Sequence, residues 1–410
     1  MSHTSGSNGG GSSSAKASIL QISRPYFTQS EISYLHSKTI PELKKLNYNQ
    51  RKHQIFQFIM QIVKHFKFPL RVLATTMNYY QRYYLFNKFE DLNDEDILST
   101  LMCKNVQQQP IIQELEKDCF IVAISCLFLA TKNEDCIKKL RDIQLIANKL
   151  RDIDDDGKNN LLIILDNQRR AIMTIEFKLL QIIKFDFNNG CSYESLDQLV
   201  VQFCKNLNLD YKSSLYCWLI SFDILSTPLY LMIPPHCIAL AIIIITLNIK
   251  PTDIITKYNK PTNNPDSIND TNSENHVSDT TDTDINYNDI LDQIDNDDFK
   301  CPELLVNEGI LYILDYYVHQ MNFSILNEYM PPIDAISGKE QIFRFMELKS
   351  NFNDLQCIDQ KSTTKDLLKQ DDYMNNWDYS IGVKGSARFM LGNKRKRFNL
   401  EVNNKKTKLN

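Results

Sequence analysis

Thiol and imidazole side chains could do the most recognisable chemistry in this sequence, as metal ligands, nucleophiles or redox pairs. The chain has ten cysteines and seven histidines among 410 residues. No two cysteines form a Cys-x-x-Cys pair, and no two histidines share one helix face, so the spacing typical of a zinc site is absent. We interpret the cysteines as buried free thiols of a reducing compartment, and single histidines such as His236 and His319 as structural residues. We therefore expect no metal and no cofactor.

Motifs for catalysis are also missing from the sequence. There is no glycine-rich phosphate loop, and no serine or cysteine stands in a nucleophile motif. The sequence predicts a protein without catalytic residues of its own. An enzyme remains an alternative, which activity in the isolated chain would support.

Charge is distributed unevenly along the chain. Lys and Arg number 46 against 50 for Asp and Glu, a net charge of −4. Residues 261–300 contain eleven acidic residues and one basic residue, so the remainder carries +6. The near-neutral total argues against a general nucleic-acid binder. Lys394, Arg395, Lys396 and Arg397 form a basic cluster that suits a nuclear import signal, with a solvated basic tail or a nucleic-acid contact as alternatives.

The elements that would position these residues are helices. Only 11 glycines and 13 prolines are present, which is low for a turn-rich β-sandwich or a glycine-dependent nucleotide fold. Thr28 and Glu31 have the spacing of a capping box, and Cys119 to Ala130 is apolar on every side, as expected of a central helix. Apolar residues recur at helical spacing in Asn49–Phe66, Pro69–Phe86, Glu114–Lys132, Ile137–Leu150 and Leu161–Lys184, then in Leu196–Leu207, Tyr211–Leu225, Pro234–Ile249 and from Pro302 onward.

These patterns predict two successive all-α units. We place a disordered N-terminus at 1–21, an N-terminal unit at 22–189 with an insertion at about 91–113, and a C-terminal unit at 190–350. Residues 251–300 are predicted to be a disordered acidic insertion, and 351–410 a mostly disordered tail. The apolar run from Ile238 to Ile249 is too short to span a membrane.

Three segments resemble helices 2, 3 and 5 of the cyclin box. Further segments are similar to transcriptional cyclins of the type that form the beta subunit of the fungal CTD kinase complex I, which acts on the C-terminal domain of RNA polymerase II. The resemblance implies two tandem five-helix cyclin folds. The first three segments are FPLRVLATTMNYYQRYYLFNKF (68–89), CFIVAISCLFLATKNED (119–135) and IEFKLLQIIKFDF (175–187), and the further ones are SRPYF (23–27), YNQRK (48–52), YYQRYYLFNKFE (79–90), IPPHCIALAI (233–242) and RFMELK (344–349).

Two residues take a role from this resemblance. Lys132, at the end of the third box helix, and Glu176, in the fifth, match the pair with which cyclins hold the backbone of their kinase beside its regulatory helix. An ammonium group donates to backbone carbonyls and a carboxylate accepts from backbone N–H groups, so the residue types suit that task. Without the resemblance, Lys132 would be read as complementing a helix C-terminus and Glu176 as part of a solvated face.

Departures from cell-cycle cyclins favour the transcriptional type. Gln81 precedes Arg82, where cell-cycle cyclins have an Asp, so the ion pair of those cyclins is not expected here. Residues 50–58 lack the Met-Arg-Ala-Ile-Leu motif that docks substrates, and no destruction-box-like element precedes the first box.

The resemblance implies a non-catalytic, nuclear cyclin subunit that binds and activates a cyclin-dependent kinase catalytic subunit. That kinase would phosphorylate the heptad repeats of RNA polymerase II, mainly at the second-position serine, and promote elongation, with a small third subunit in the complex. No membrane and no direct nucleic-acid partner are expected. The alternative is a general transcription factor with tandem cyclin folds that binds promoter DNA. Such a protein would be expected to have an N-terminal zinc ribbon and a basic second repeat, whereas this N-terminus is rich in Ser and Gly and the second repeat contains the acidic segment.

Overall fold

The computed structural model describes residues 26–90, 92, 94–101, 108–153, 158–187, 195–249, 287–329 and 337–357. Over these residues the chain forms α-helices and short 3-10 helices without any β-strand, which confirms the predicted all-α class. The helices are α1 Gln29–Thr39, α2 Lys45–Phe66, α3 Leu70–Phe86, α4 Asp94–Leu101, α5 Gln108–Leu115, α6 Cys119–Asn133, α7 Leu140–Leu150, α8 Lys158–Ile182, α9 Leu196–Asn206, α10 Tyr211–Ile224, α11 Pro235–Ile249, α12 Tyr287–Gln293, α13 Glu303–Gln320, α14 Ile325–Tyr329 and α15 Ser337–Asn351.

The first unit is organised around α6. Its 15 residues are apolar on nearly every side, so α2, α3, α7 and α8 can all pack against it. The helix begins where the Asp118 carboxylate accepts a hydrogen bond from the Phe120 backbone N–H at 2.9 Å, a standard N-cap. The structure thus confirms that this segment is the central helix.

The second unit repeats this plan around α11. This helix is equally apolar, and α9, α10, α12 and α13 pack against it. Gly309 allows α13 to approach closely, since a Cβ at this position would lie 3.1 Å from the Ala241 Cβ. An arrangement of five helices, four of them around a central apolar helix, therefore occurs twice in the chain, as the fold prediction requires.

Residues 287–300 differ from the predicted disorder of the 251–300 segment. Tyr287–Gln293 forms α12, and the Tyr287 hydroxyl lies 3.2 Å from the Ser213 hydroxyl in the interior. The Phe299 ring packs on Phe203 with a centroid distance of 4.7 Å. Tyr287, Ile290 and their apolar neighbours have helical spacing. The many aspartates around them gave the segment the polar composition from which disorder was predicted. Residues 251–286 lie outside the described residues.

The insertion predicted at about 91–113 also contains helices. Helices α4 and α5 pack against each other and against α8. Ile97 and Leu101, one turn apart on α4, are buried, as is Leu115 at the end of α5. These apolar anchors explain why polar sequence around them still folds onto the first unit.

Contacts between the two units come from buried polar groups as well as aromatic rings. The Gln81 side-chain amide donates to the Thr227 carbonyl at 2.8 Å, and the Phe27 N–H donates to the Leu231 carbonyl at 2.7 Å. A carboxylate at position 81 could not donate to that carbonyl, which gives a physical reason for the departure from cell-cycle cyclins. Phe56 packs edge-on against Phe222 at 5.4 Å.

The first helix begins at the capping residues that the sequence predicts. Thr28 and Glu31 form the predicted capping box at the start of α1, with hydrogen bonds of 2.9 and 3.2 Å.

None of the helices in the described part of the chain combines the length and the apolar character needed to cross a membrane. The predicted disordered segment 1–21 and most of the 351–410 tail lie outside the described residues.

Candidate functional site

The two residues predicted as a site meet on the surface of the first unit. Lys132 lies in the last turn of α6, and Glu176 lies in the C-terminal third of α8, which packs alongside. The Lys132 Nζ donates to Glu176 Oε1 at 2.5 Å. The side chain of Lys132 is 39% exposed, whereas that of Glu176 is 7% exposed. The Glu176 carboxylate is therefore buried where α6 and α8 pack together, whereas the Lys132 ammonium group is accessible from the surface.

The position of the ammonium group is fixed from two further directions. The Lys132 Nζ lies 3.9 Å from the centre of the Phe128 ring, one turn earlier on α6, in cation–π geometry. It also lies at the C-terminal end of α6, where a positive charge is favoured by the helix dipole. An ammonium group has three donors, so the bond to Glu176 leaves two for another acceptor.

The stability gained from this ion pair is small. Since Lys132 is more than a third exposed, solvent screening limits the pair to about 0.2–1 kcal/mol. Either side chain can therefore be replaced without unfolding the first unit. This makes the pair suitable for a functional test.

Apolar side chains lie exposed beside Glu176. Met173 and Phe177, one turn apart on α8, are 47% and 44% exposed, whereas Ile172 and Ile175 of the same helix are fully buried. The sequence analysis did not single out Met173 and Phe177. The available signal was that both lie beside, and not within, the buried stripe of α8. An exposed apolar pair next to a charged pair is typical of a protein-binding surface.

A second charged group anchors the end of α6 and was also missed. Glu134, which follows α6 directly, accepts a hydrogen bond from the Thr75 hydroxyl at 2.7 Å and pairs with Arg71 Nε at 3.3 Å. Both partners lie on α3. These bonds tie the end of α6 to α3 and so hold Lys132 in register.

Other predicted site residues behave differently. The basic cluster Lys394, Arg395, Lys396 and Arg397 lies outside the described residues. The histidine and cysteines that the sequence analysis treated as separate structural residues are brought together in one place: His236, Cys237 and Cys301 have ligand atoms within 4.8 Å of one another. The sequence hid this group because Cys237 and Cys301 are 64 positions apart.

Comparison with known proteins finds a known domain in this chain and relatives of similar sequence. The cyclin N-terminal domain matches residues 23–188. The CTD kinase subunit beta of Saccharomyces cerevisiae is 28% identical over 334 residues, covering 82% of this chain and 81% of the relative. The CTD kinase subunit beta of Schizosaccharomyces pombe is 27% identical over 245 residues, covering 58% of this chain and 62% of the relative.

Among solved structures, the crystal structure of the yeast RNA Pol II CTD kinase CTDK-1 complex contains a chain of similar fold. The two align with a TM-score of 0.61 and 27% identity, over 87% of this chain and 93% of that chain. The alignment covers both helical units, in agreement with the repeated five-helix plan around α6 and α11. The matching domain, the relatives and the architecture agree: residues 23–188 carry a cyclin N-terminal domain, and the chain as a whole is similar to the cyclin subunits of CTD kinases.

Proposed function

We propose that this protein is the cyclin subunit of a CTD kinase, binding and activating a cyclin-dependent kinase catalytic subunit without contributing catalytic residues itself. The relatives named CTD kinase subunit beta and the similar chain in the CTDK-1 complex support this proposal. The observation that carries it on this chain is the partly exposed Lys132–Glu176 pair beside Met173 and Phe177.

The proposed mechanism is a shift of the kinase toward its active arrangement. The free donors of Lys132 would bind backbone carbonyls of the kinase, and Met173 and Phe177 would cover apolar side chains of its regulatory helix. A partner that binds only one arrangement of that helix shifts the population toward it. In a kinase, this places the Lys–Glu ion pair and the metal-binding Asp for phosphoryl transfer.

We further propose that the heptad repeats of RNA polymerase II are the substrate of the complex, with the second-position serine as the main target and elongation as the supported step. A small third subunit and residence in the nucleus, with the 394–397 cluster as import signal, belong to the same proposal. The rival function, promoter-DNA binding, has no support among the relatives found, which are CTD kinase subunits and other cyclins.

The test is a double variant of the charged pair. The full-length chain carrying Lys132→Ala and Glu176→Ala is purified with its native partners, and heptad-peptide phosphorylation by the purified complex is measured. Losing two charge-assisted contacts at about 1.5–3 kcal/mol each sums to about 3–6 kcal/mol, which predicts at least about a hundredfold weaker kinase binding. Unchanged kinase binding and activity in this variant would contradict the proposed face.

A matched control is available on the same helix. Lys178 of α8 pairs with Glu116, and both side chains are about as exposed as those of the candidate pair. Lys178 is two residues from Glu176, about 200° around the helix, so it faces another direction. The double variant Lys178→Ala, Glu116→Ala should keep wild-type kinase activity. Equal losses in both double variants would point to general destabilisation and not to a binding face.

A further inference from the structure

Three side chains of metal-binding type converge where α11 begins. A ring nitrogen of His236 and the sulfurs of Cys237 and Cys301 all lie within 4.8 Å of one another. Around a tetrahedral zinc ion with Zn–S near 2.3 Å and Zn–N near 2.0 Å, such atoms are about 3.5–3.8 Å apart. The three atoms therefore need to close by no more than about 1.3 Å to share one ion. Among the described residues, no other group of three such side chains comes together.

The backbone holds these side chains in place from two elements. His236 and Cys237 occupy the first turn of α11, where the positive end of the helix dipole favours a thiolate. Cys301 directly precedes Pro302, the N-cap residue of α13, and its N–H donates to the Asn296 carbonyl at 2.9 Å. The group thus joins the starts of two helices of the second unit.

Burial and hydrogen bonding match the needs of a metal ligand set. Cys237 and Cys301 are 0% and 1% exposed, while His236 is half-buried and gives access from the surface. The two sulfurs lie beside each other, and the Cys301 thiol donates a hydrogen bond to the Phe299 carbonyl at 3.3 Å, a proton that metal binding would release. The His236 ring also lies beside the Lys300 backbone. Histidine ligands of zinc commonly donate from their second ring nitrogen to a backbone carbonyl.

A comparison within the molecule shows what is distinctive here. Cys204 and Cys217 are also neighbouring buried thiols, between α9 and α10. That pair belongs to no group of three metal-type ligands. Two neighbouring thiols are thus an ordinary core feature of this protein, and the added imidazole is what makes the group at α11 a ligand set.

We propose that His236, Cys237 and Cys301 bind one Zn²⁺ ion, with water as the fourth ligand. Thiolate and imidazole ligands suit zinc, whereas Ca²⁺ and Mg²⁺ take oxygen ligands. The ion fastens the start of α11 to the start of α13 and so closes the chain between positions 237 and 301, which includes the acidic segment. Closing a long loop through a metal stabilises the folded state, because the unfolded chain lacks the assembled site.

The test uses the full-length chain produced in zinc-supplied cells and dialysed against metal-free buffer. Metal analysis should find about one zinc ion per chain in the wild type, as expected for one three-residue site. It should find almost none in the Cys237→Ala, Cys301→Ala double variant. Replacing zinc with Co²⁺ should give thiolate-to-metal charge-transfer absorption in the wild type only. Absence of zinc from the wild type, or equal zinc in the double variant, overturns the proposal.

Two further variants separate a metal site from a loss of folding. His236→Gln leaves the buried core intact, so its circular dichroism should match the wild type while zinc is lost. Added zinc should raise the thermal midpoint of the apo wild type and leave that of His236→Gln unchanged. Cys136→Ser, at a half-buried cysteine outside the group, should retain zinc. A Cys237–Cys301 disulfide in zinc-free wild-type protein would show a redox pair instead and overturn the proposal.

Discussion

The buried carboxylate of Asp223 joins three helices of the second unit, and its hydrogen bonds allow the loss of folding stability on its removal to be predicted. This carboxylate is buried on α10 and accepts three hydrogen bonds from the distal part of the unit. Its Oδ1 accepts from the Ile325 N–H at 2.6 Å, and its Oδ2 accepts from the Leu326 N–H at 3.2 Å and the Tyr317 hydroxyl at 2.9 Å. One side chain thereby fastens α13 and the start of α14 to α10.

The variant Asp223→Ala leaves two backbone N–H groups and one hydroxyl without an acceptor in the interior. At about 1–3 kcal/mol for each buried unsatisfied group, the loss is at least about 3 kcal/mol. Burial of the carboxyl raises the pKa of Asp223 to about 7, and relief of this burial cost offsets part of the loss. Since this offset is subtracted from a gross loss of about 3–9 kcal/mol, we expect the free energy of unfolding to fall by about 2–5 kcal/mol at pH 7.

Urea denaturation of the full-length chain, followed by circular dichroism, measures this change. Tyr317→Phe is the matched control, since it removes only one of the three bonds and should cost about 1–2 kcal/mol. A loss below about 1 kcal/mol for Asp223→Ala would refute the reasoning that this carboxylate satisfies the buried donors. An equal loss in the two variants would show that Tyr317, and not the backbone contacts, dominates.

The pH dependence of Asp223 follows from the direction of its pKa shift. The folded value near 7 is above the ordinary value of 3.8, so the folded state binds the proton more tightly than the unfolded state. Proton binding by Asp223 therefore adds stability that is present at low pH and is lost as the pH rises from about 4 to 7, whereas the contribution of the three accepted hydrogen bonds persists at pH 7. Asp223→Asn has no carboxyl to titrate, so its unfolding free energy should lack this component of the pH dependence.

The pH dependence from His53 should have the opposite sign. Burial and the nearby Lys52 lower the pKa of His53 to about 4. The folded state therefore loses stability as the pH falls from 6.5 toward 4, by up to about 1.4 kcal/mol per pH unit. His53→Gln should flatten the urea-denaturation profile over that range, and an unchanged slope would show that His53 titrates normally. Asp118→Ala removes both the α6 N-cap and the buried partner of Arg151, whose NH1 lies 2.7 Å from the Asp118 carboxylate. Removing one partner of a buried ion pair together with the N-cap should cost about 3–5 kcal/mol in urea denaturation, and a loss like that of an exposed pair, under 1 kcal/mol, would contradict this.

The sequence alone determined the class of fold and the order of its main helices. Apolar residues at helical spacing are a local property, so α2, α3, α6 and α11 could be placed from the chain itself. The two all-apolar helices had to be central, since neither has a polar face to expose. The family motifs likewise indicated Lys132 and Glu176.

Predictions from local composition failed where polar segments are ordered by packing against distant parts of the chain. Aspartates around Tyr287 made α12 resemble the disordered segment before it, and polar residues hid α4 and α5. In each case a few apolar side chains gain enough from burial against a distant helix to order the polar residues between them. That gain depends on a surface made by another part of the chain, so no local window contains it.

Contacts between distant residues were decided by the tertiary structure. The choice of Gln81 became explicable only when the Thr227 carbonyl was found opposite it, 146 positions later. The meeting of His236 and Cys237 with Cys301 depends on how α11 packs beside the start of α13. Sequence patterns specify which side chains face inward, because helix periodicity is local. Which inward-facing side chains meet is set by the packing of whole helices, and only the folded chain contains that information.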